Sequence, residues 1–150
     1  MPNGINNLKA VVDYAKLLND LRKKEVVVGL PKGSADSTVI EYAAHHEYGA
    51  PEAGIPKRSF LREPFDDERG NVIKLMDDLV KIDKGLDADT IYKKAGEMAK
   101  GIVIKTFRSN GNGRWEPLKA STIKSKGSSA PLIDKGQLFQ SITYEVRSAT

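Results

Sequence analysis

The sequence predicts an α+β fold, with three to four helices packed on a small, mainly antiparallel sheet. Three observations predict it. Val72, Ile73, Met76, Leu79 and Val80 recur at helical spacing. Ile91, Tyr92, Ala95, Ala99, Ile102 and Val103 do the same over a second stretch. Near the end, Ile142, Tyr144 and Val146 alternate with Ser141, Thr143, Glu145 and Arg147, the period of a strand with one buried face.

The elements follow in order. Residues 8–24, LKAVVDYAKLLNDLRKK, carry an apolar stripe of Leu8, Val11, Val12, Ala15, Leu18 and Leu21, with Asn7 as a candidate N-cap. EVVVGLP at 25–31 reads as a strand, because adjacent valines favour extended backbone and Pro31 ends it. This strand is expected to pair with the C-terminal one. Residues 36–48 form a short helix, opened by Asp36 or Ser37 and closed by Gly49 ahead of Pro51. The next helix starts at a Ser59 cap or at Pro64, since proline suits only a first turn. Asp87 or Asp89 caps a helix from about 90 to 107. SNGNGR at 109–114 breaks the pattern, ASTIK is able to make a turn of helix, and QLFQSITYEVRS closes the chain as a strand.

At 150 residues the chain fits a single domain, 1–150, with one core. It lacks cysteine, which excludes disulfides, thiolate ligands and a cysteine nucleophile. No segment is long and apolar enough to span a bilayer, and the first residues lack the pattern of a secretory signal, so a product kept in a cytoplasm, or built into something assembled there, is expected. Residues 108–135 hold six basic residues against two acids, which equals the whole net charge of +4. A flexible basic loop near 109–129 is therefore expected, facing phosphate, an acidic protein surface or only solvent.

The stretch AHHEYG invites a metal or acid–base reading. His45 and His46 are adjacent, so on a helix they point about 100° apart and share one metal poorly. The chain has no third histidine and no nucleophile elbow or phosphate loop. No catalytic residue, metal or cofactor is expected, and the protein reads as a non-enzyme. Arg114 beside Trp115, followed by Lys119, Lys124 and Lys126, forms a candidate interface. Trp115 would anchor a protein partner or stack on a base. No nucleic-acid-binding motif is legible.

Two blocks carry a likeness to a known family. In EYAAHHEYGAPEAGIPKRSFLREPF, Glu47 and Gly49 fit a helix ending in "E-x-G", and Ile55, Pro56, Arg58, Phe60 and Leu61 fit "I-P-x-R-P-F-L". In RWEPLKASTIKSKGSSAPLIDKGQLFQSITYEV, Trp115 and Leu118 fit a tryptophan-proline-leucine segment, and Asp134, Gly136 and Leu138 fit "L-x-D-T-G-x-L" before a final strand. With the helices between them the blocks cover about residues 36–148. Here the chain resembles the HK97 gp10-like tail-component proteins of tailed bacteriophages. Ser59, Glu116 and Lys135 depart from the family pattern.

The resemblance implies a structural protein of a phage or prophage virion, completing the tail or joining it to the head as part of a ring. Its partners would be other copies of itself and tail-tube or head–tail connector proteins, with possible non-specific contact to passing DNA and no membrane. The implied location is the virion tail or head–tail junction, assembled in the bacterial cytoplasm. The alternative from the residues alone is a DNA-binding or DNA-packaging accessory protein. The family motifs imply a fixed corner around Arg58, and a turn at Asp134 and Gly136 into the last strand.

Overall fold

The structure, a computed structural model, describes residues 4–82, 85–132 and 136–150. The order is α1 (Gly4–Arg22), β1 (Lys24–Gly29), α2 (Ser37–Tyr48), a 3-10 turn (Pro51–Ala53), α3 (Arg62–Ile82), α4 (Ala88–Arg108), α5 (Ala120–Lys126), α6 (Gln137–Ser141) and β2 (Thr143–Ser148). The fold is α+β, but the described residues form six α-helices rather than three to four. The additional helices are the short ones. Neither α5, with seven residues, nor α6, with five, is long enough to display a 3.6-residue period. Both depend on glycine in the left-handed region: Gly127 (φ 72) ends α5, and Gly136 (φ 74) opens α6. The stretch 137–141, expected as strand, is therefore helical, and only Thr143–Ser148 is extended.

β1 and β2 form a two-stranded antiparallel sheet. Its register sets Val26 against Val146 and Val28 against Tyr144. α4 supports the sheet and also packs along α3. Glu68 in the second turn of α3 lies 3.7 Å from Lys105 near the end of α4, so the two helices run antiparallel. Asp87 caps α4 by accepting from the Thr90 backbone N–H at 2.7 Å, and Asp36 caps α2 by accepting from Val39 at 2.9 Å. Gly96 of α4 lies directly under Tyr144 of β2, where a Cβ would stand 2.3 Å from the ring. Its missing side chain sets how closely the sheet approaches the helix.

α1 docks on the body near its C-terminal end, while most of its stripe is left outside. Leu17 and Leu21 are half-buried, and Tyr92 donates from its hydroxyl to the Leu21 carbonyl at 2.9 Å. The stripe of Leu8, Val11, Val12 and Leu18 points to solvent, with Leu8 66% exposed. The main core lies elsewhere, at the other end of α4. Val39 and Ala43 of α2, Phe60, Val103 and Phe107 of α4, Trp115, Leu132, Leu138 and Ile142 form it. Phe107 is its centre, with the rings of Phe60, Trp115 and Phe139 at 5.1, 5.9 and 5.7 Å.

Candidate functional site

Glu47 organises the corner between α2 and α3. It is in the last turn of α2 and is 5% exposed. Its carboxylate accepts from the Ser59 hydroxyl at 2.7 Å and from the backbone N–H groups of Phe60, Leu61 and Arg62 at 2.9, 3.0 and 3.0 Å. Those amides lie at the start of α3, where N–H groups lack intrahelical acceptors and the helix dipole favours an anion. Ser59 accepts in turn from the Glu63 N–H at 3.1 Å. The cap of α3 is thus supplied by the preceding helix.

Gly49 lets the chain leave α2 sharply. Its φ is 79°, and a Cβ would stand 3.2 Å from the Lys57 backbone. Ala50 and Ile55 then exchange backbone hydrogen bonds at 2.9 and 3.0 Å, which closes a small loop around the 3-10 turn. Pro56 follows, and the Arg58 N–H donates to the His46 carbonyl at 2.7 Å. Phe60 is fully buried in the core, and Leu61 packs beside it.

The second block folds onto this corner. Arg58 is 4% exposed, and its Nε and Nη2 donate to the Glu116 backbone carbonyl at 3.2 and 2.9 Å. Burial pushes its guanidinium below the ordinary arginine value, against the opposing pull of Glu116 and Tyr42. The Trp115 indole N–H donates to the Ser59 carbonyl at 3.2 Å. SNGNGR places that ring. Asn110, Gly111, Asn112 and Gly113 all have φ between 51° and 77°, a left-handed run that doubles the chain back. A Cβ on Gly111 would stand 2.3 Å from the indole.

The expected interface residues are not all exposed together. Trp115 is 7% exposed and belongs to the core, so its ring is offered neither to a base nor to a partner. Arg114 is exposed and forms an ion pair with Asp67 of α3. Lys119 and Lys124 are exposed at α5, while Lys126 is half-buried and donates to the Ala130 carbonyl at 2.7 Å. The stretch expected as an open loop, 109–129, holds the left-handed turn and α5. In the last motif, Gly136 has the positive φ the turn needs and Leu138 is buried in the core; Asp134 lies outside the described residues.

Between the corner and α5 lies a cavity of about 1110 Å³. Arg58, His46 and Tyr48 line one side, and Leu118, Lys119 and Thr122 the other. The two histidines differ. His45 is exposed, whereas His46 is 8% exposed and meets the Tyr42 ring edge-on at 4.4 Å. Its Nδ1 has no hydrogen-bond partner. Among the described residues, no group of three or more His, Asp or Glu side chains could hold a metal.

Burial, with the positive charges of Arg58, His45 and Lys126, lowers the His46 pKa from 6.5 to about 4. In the unfolded chain the imidazole takes up its proton near 6.5, while in the folded chain it resists until about 4. Within that window the unfolded state holds more protons, so acidification favours unfolding. Urea denaturation should show stability falling as pH drops from 6.5 toward 4, and level above it. His46→Gln should flatten that slope. Equal slopes in both proteins would assign the acid sensitivity to other groups.

Compared with protein-family models, with curated proteins and with solved structures, the chain finds no match. Among the described residues, no helix is long and apolar enough to cross a membrane. Sequence reasoning read Glu47 only as part of a helix-ending motif. Its four donors come from residues 59–62, and the only sequence signal was a serine followed by a helix start.

Proposed function

We propose that this chain is a non-enzymatic structural protein of a tailed phage or prophage, completing the tail or joining it to the head as one subunit of a ring. What supports this reading is that the two blocks bearing the resemblance, far apart in sequence, meet in space. Arg58 of the first holds the Glu116 carbonyl of the second, and Trp115 holds the Ser59 carbonyl. The motif residues thus act as mutual packing and capping groups, which is the use a structural subunit makes of them. A ring subunit needs two different surfaces that close under rotation.

The test is genetic. Deleting the gene from an inducible prophage that carries it should leave filled heads and separate tails, with joined particles restored by a plasmid-borne copy. Electron microscopy of lysates reads the outcome. Normal infectious particles from the deletion strain would sink the proposal.

A further inference from the structure

We propose that the cavity beside Arg58 and His46 is a receptor for an acidic peptide segment of a partner protein, whose carboxylate seats on these two side chains. The proposal goes beyond the tail reading and does not depend on it. Arg58 is a buried cation whose side-chain hydrogen bonds both go to one neutral acceptor, the Glu116 carbonyl. Among the described residues, no carboxylate lies within ion-pair distance of it. Glu116 pulls on this charge only from beyond ion-pair distance, so its desolvation is incompletely offset, and a carboxylate from outside in direct contact would relieve that cost. His46 lines the same cavity with a buried, unpartnered Nδ1. That nitrogen is closed off from solvent, so the ring must turn in the cavity wall before it can meet an incoming oxygen as an N–H donor.

The surroundings select the occupant. Among the described residues, four cationic side chains, Lys57, Arg58, Lys119 and Lys126, line the cavity with one acid, Glu116. Lys57 is already paired with Glu63, and Lys126 bonds the Ala130 carbonyl, so the recessed Arg58 and the exposed Lys119 carry the argument. The volume is far beyond that of a lone inorganic ion, and Tyr48, Ile55, Pro56 and Leu118 give apolar wall to an extended chain. A DNA duplex reads as a ladder of phosphates and needs an array of exposed cations. A cation recessed in a cavity is instead within reach of a flexible Asp or Glu side chain.

The experiment uses the full chain and four probes: hexaglutamate, its uncharged twin hexaglutamine, inorganic phosphate, and a short random-sequence DNA duplex. Ring resonances of His46 are followed by NMR at fixed ionic strength, with affinity by calorimetry. Hexaglutamate should bind, shift the His46 resonances and raise the pH at which that ring protonates. Hexaglutamine should do neither. Lys119→Glu, on the exposed rim where folding is not at stake, should weaken hexaglutamate about tenfold, and His46→Gln should weaken it while leaving the fold intact. Absence of hexaglutamate binding, equal binding of both peptides, or binding that leaves His46 unmoved would overturn the proposal. So would phosphate or duplex DNA shifting His46 more strongly than the peptide. No phage is involved, so this result and the deletion experiment fail independently.

Discussion

Replacing Glu47 with alanine is expected to destabilise the subunit by about 3–5 kcal/mol, from the loss of charge-assisted hydrogen bonds and the stranding of buried donors. The carboxylate is buried and accepts four hydrogen bonds, three of them from backbone N–H groups at the start of α3. Those amides cannot find new partners without moving the α2–α3 corner, and Phe60 belongs to that corner and to the core. Glu47→Gln keeps the shape but presents an amide NH₂ to N–H donors, so about half of the loss should remain. Urea denaturation reads this as a lower midpoint with an unchanged slope. A midpoint near that of the unaltered protein would mean that α3 is capped by water or by Ser59 alone.

Trp115→Ala is the second large effect, again about 3–5 kcal/mol, as for other large-to-small changes in a core. The sequence suggested a ring that anchors a protein partner or stacks on a base. The ring instead sits edge-on to Phe107 at 5.9 Å, donates to Ser59 and rests against Gly111. Its removal empties the space between the two blocks and strands the Ser59 carbonyl. Trp115→Phe should cost less, because it keeps much of the contact with Phe107 and loses the indole hydrogen bond. Thermal unfolding of both variants checks the order. An alanine variant that unfolds at the unaltered temperature yet fails to assemble would restore the anchor reading.

The contrast between legible and illegible parts has physical causes. α4 could be read because its buried positions, from Ile91 to Phe107, recur over many turns and Asp87 announces its start. The pairing of β1 with β2 could be read from three valines and a strict alternation. α6 could not, because five residues between Gly136 and Ile142 carry no period, and the adjoining strand pattern absorbs them. Trp115 was misplaced for another reason. Large aromatic area is useful in a core and in an interface alike, and only the left-handed run at 110–113 turns it inward. On α1 the helical period was plain, but a stripe does not say how much of it meets the body, and of its members Leu21 does so here, beside Leu17. The charge of the corner was legible as residue types, while the partners of Glu47 and Arg58 depend on chain reversals that no local pattern encodes.

The pairing of Val28 with Tyr144 also sets an order of events during synthesis. β1 emerges from the ribosome before α2, and its partner emerges after α6. Until then the valine strand is an edge without a ladder, and the Tyr144 ring that will cover Gly96 has not been made. Joining the strands closes a loop that contains most of the chain, and long loops make slow, non-local contacts. The sheet, although the smallest layer of the fold, is therefore expected to be among its slowest contacts to form, and the valine strand stays an open edge until α6 has been made.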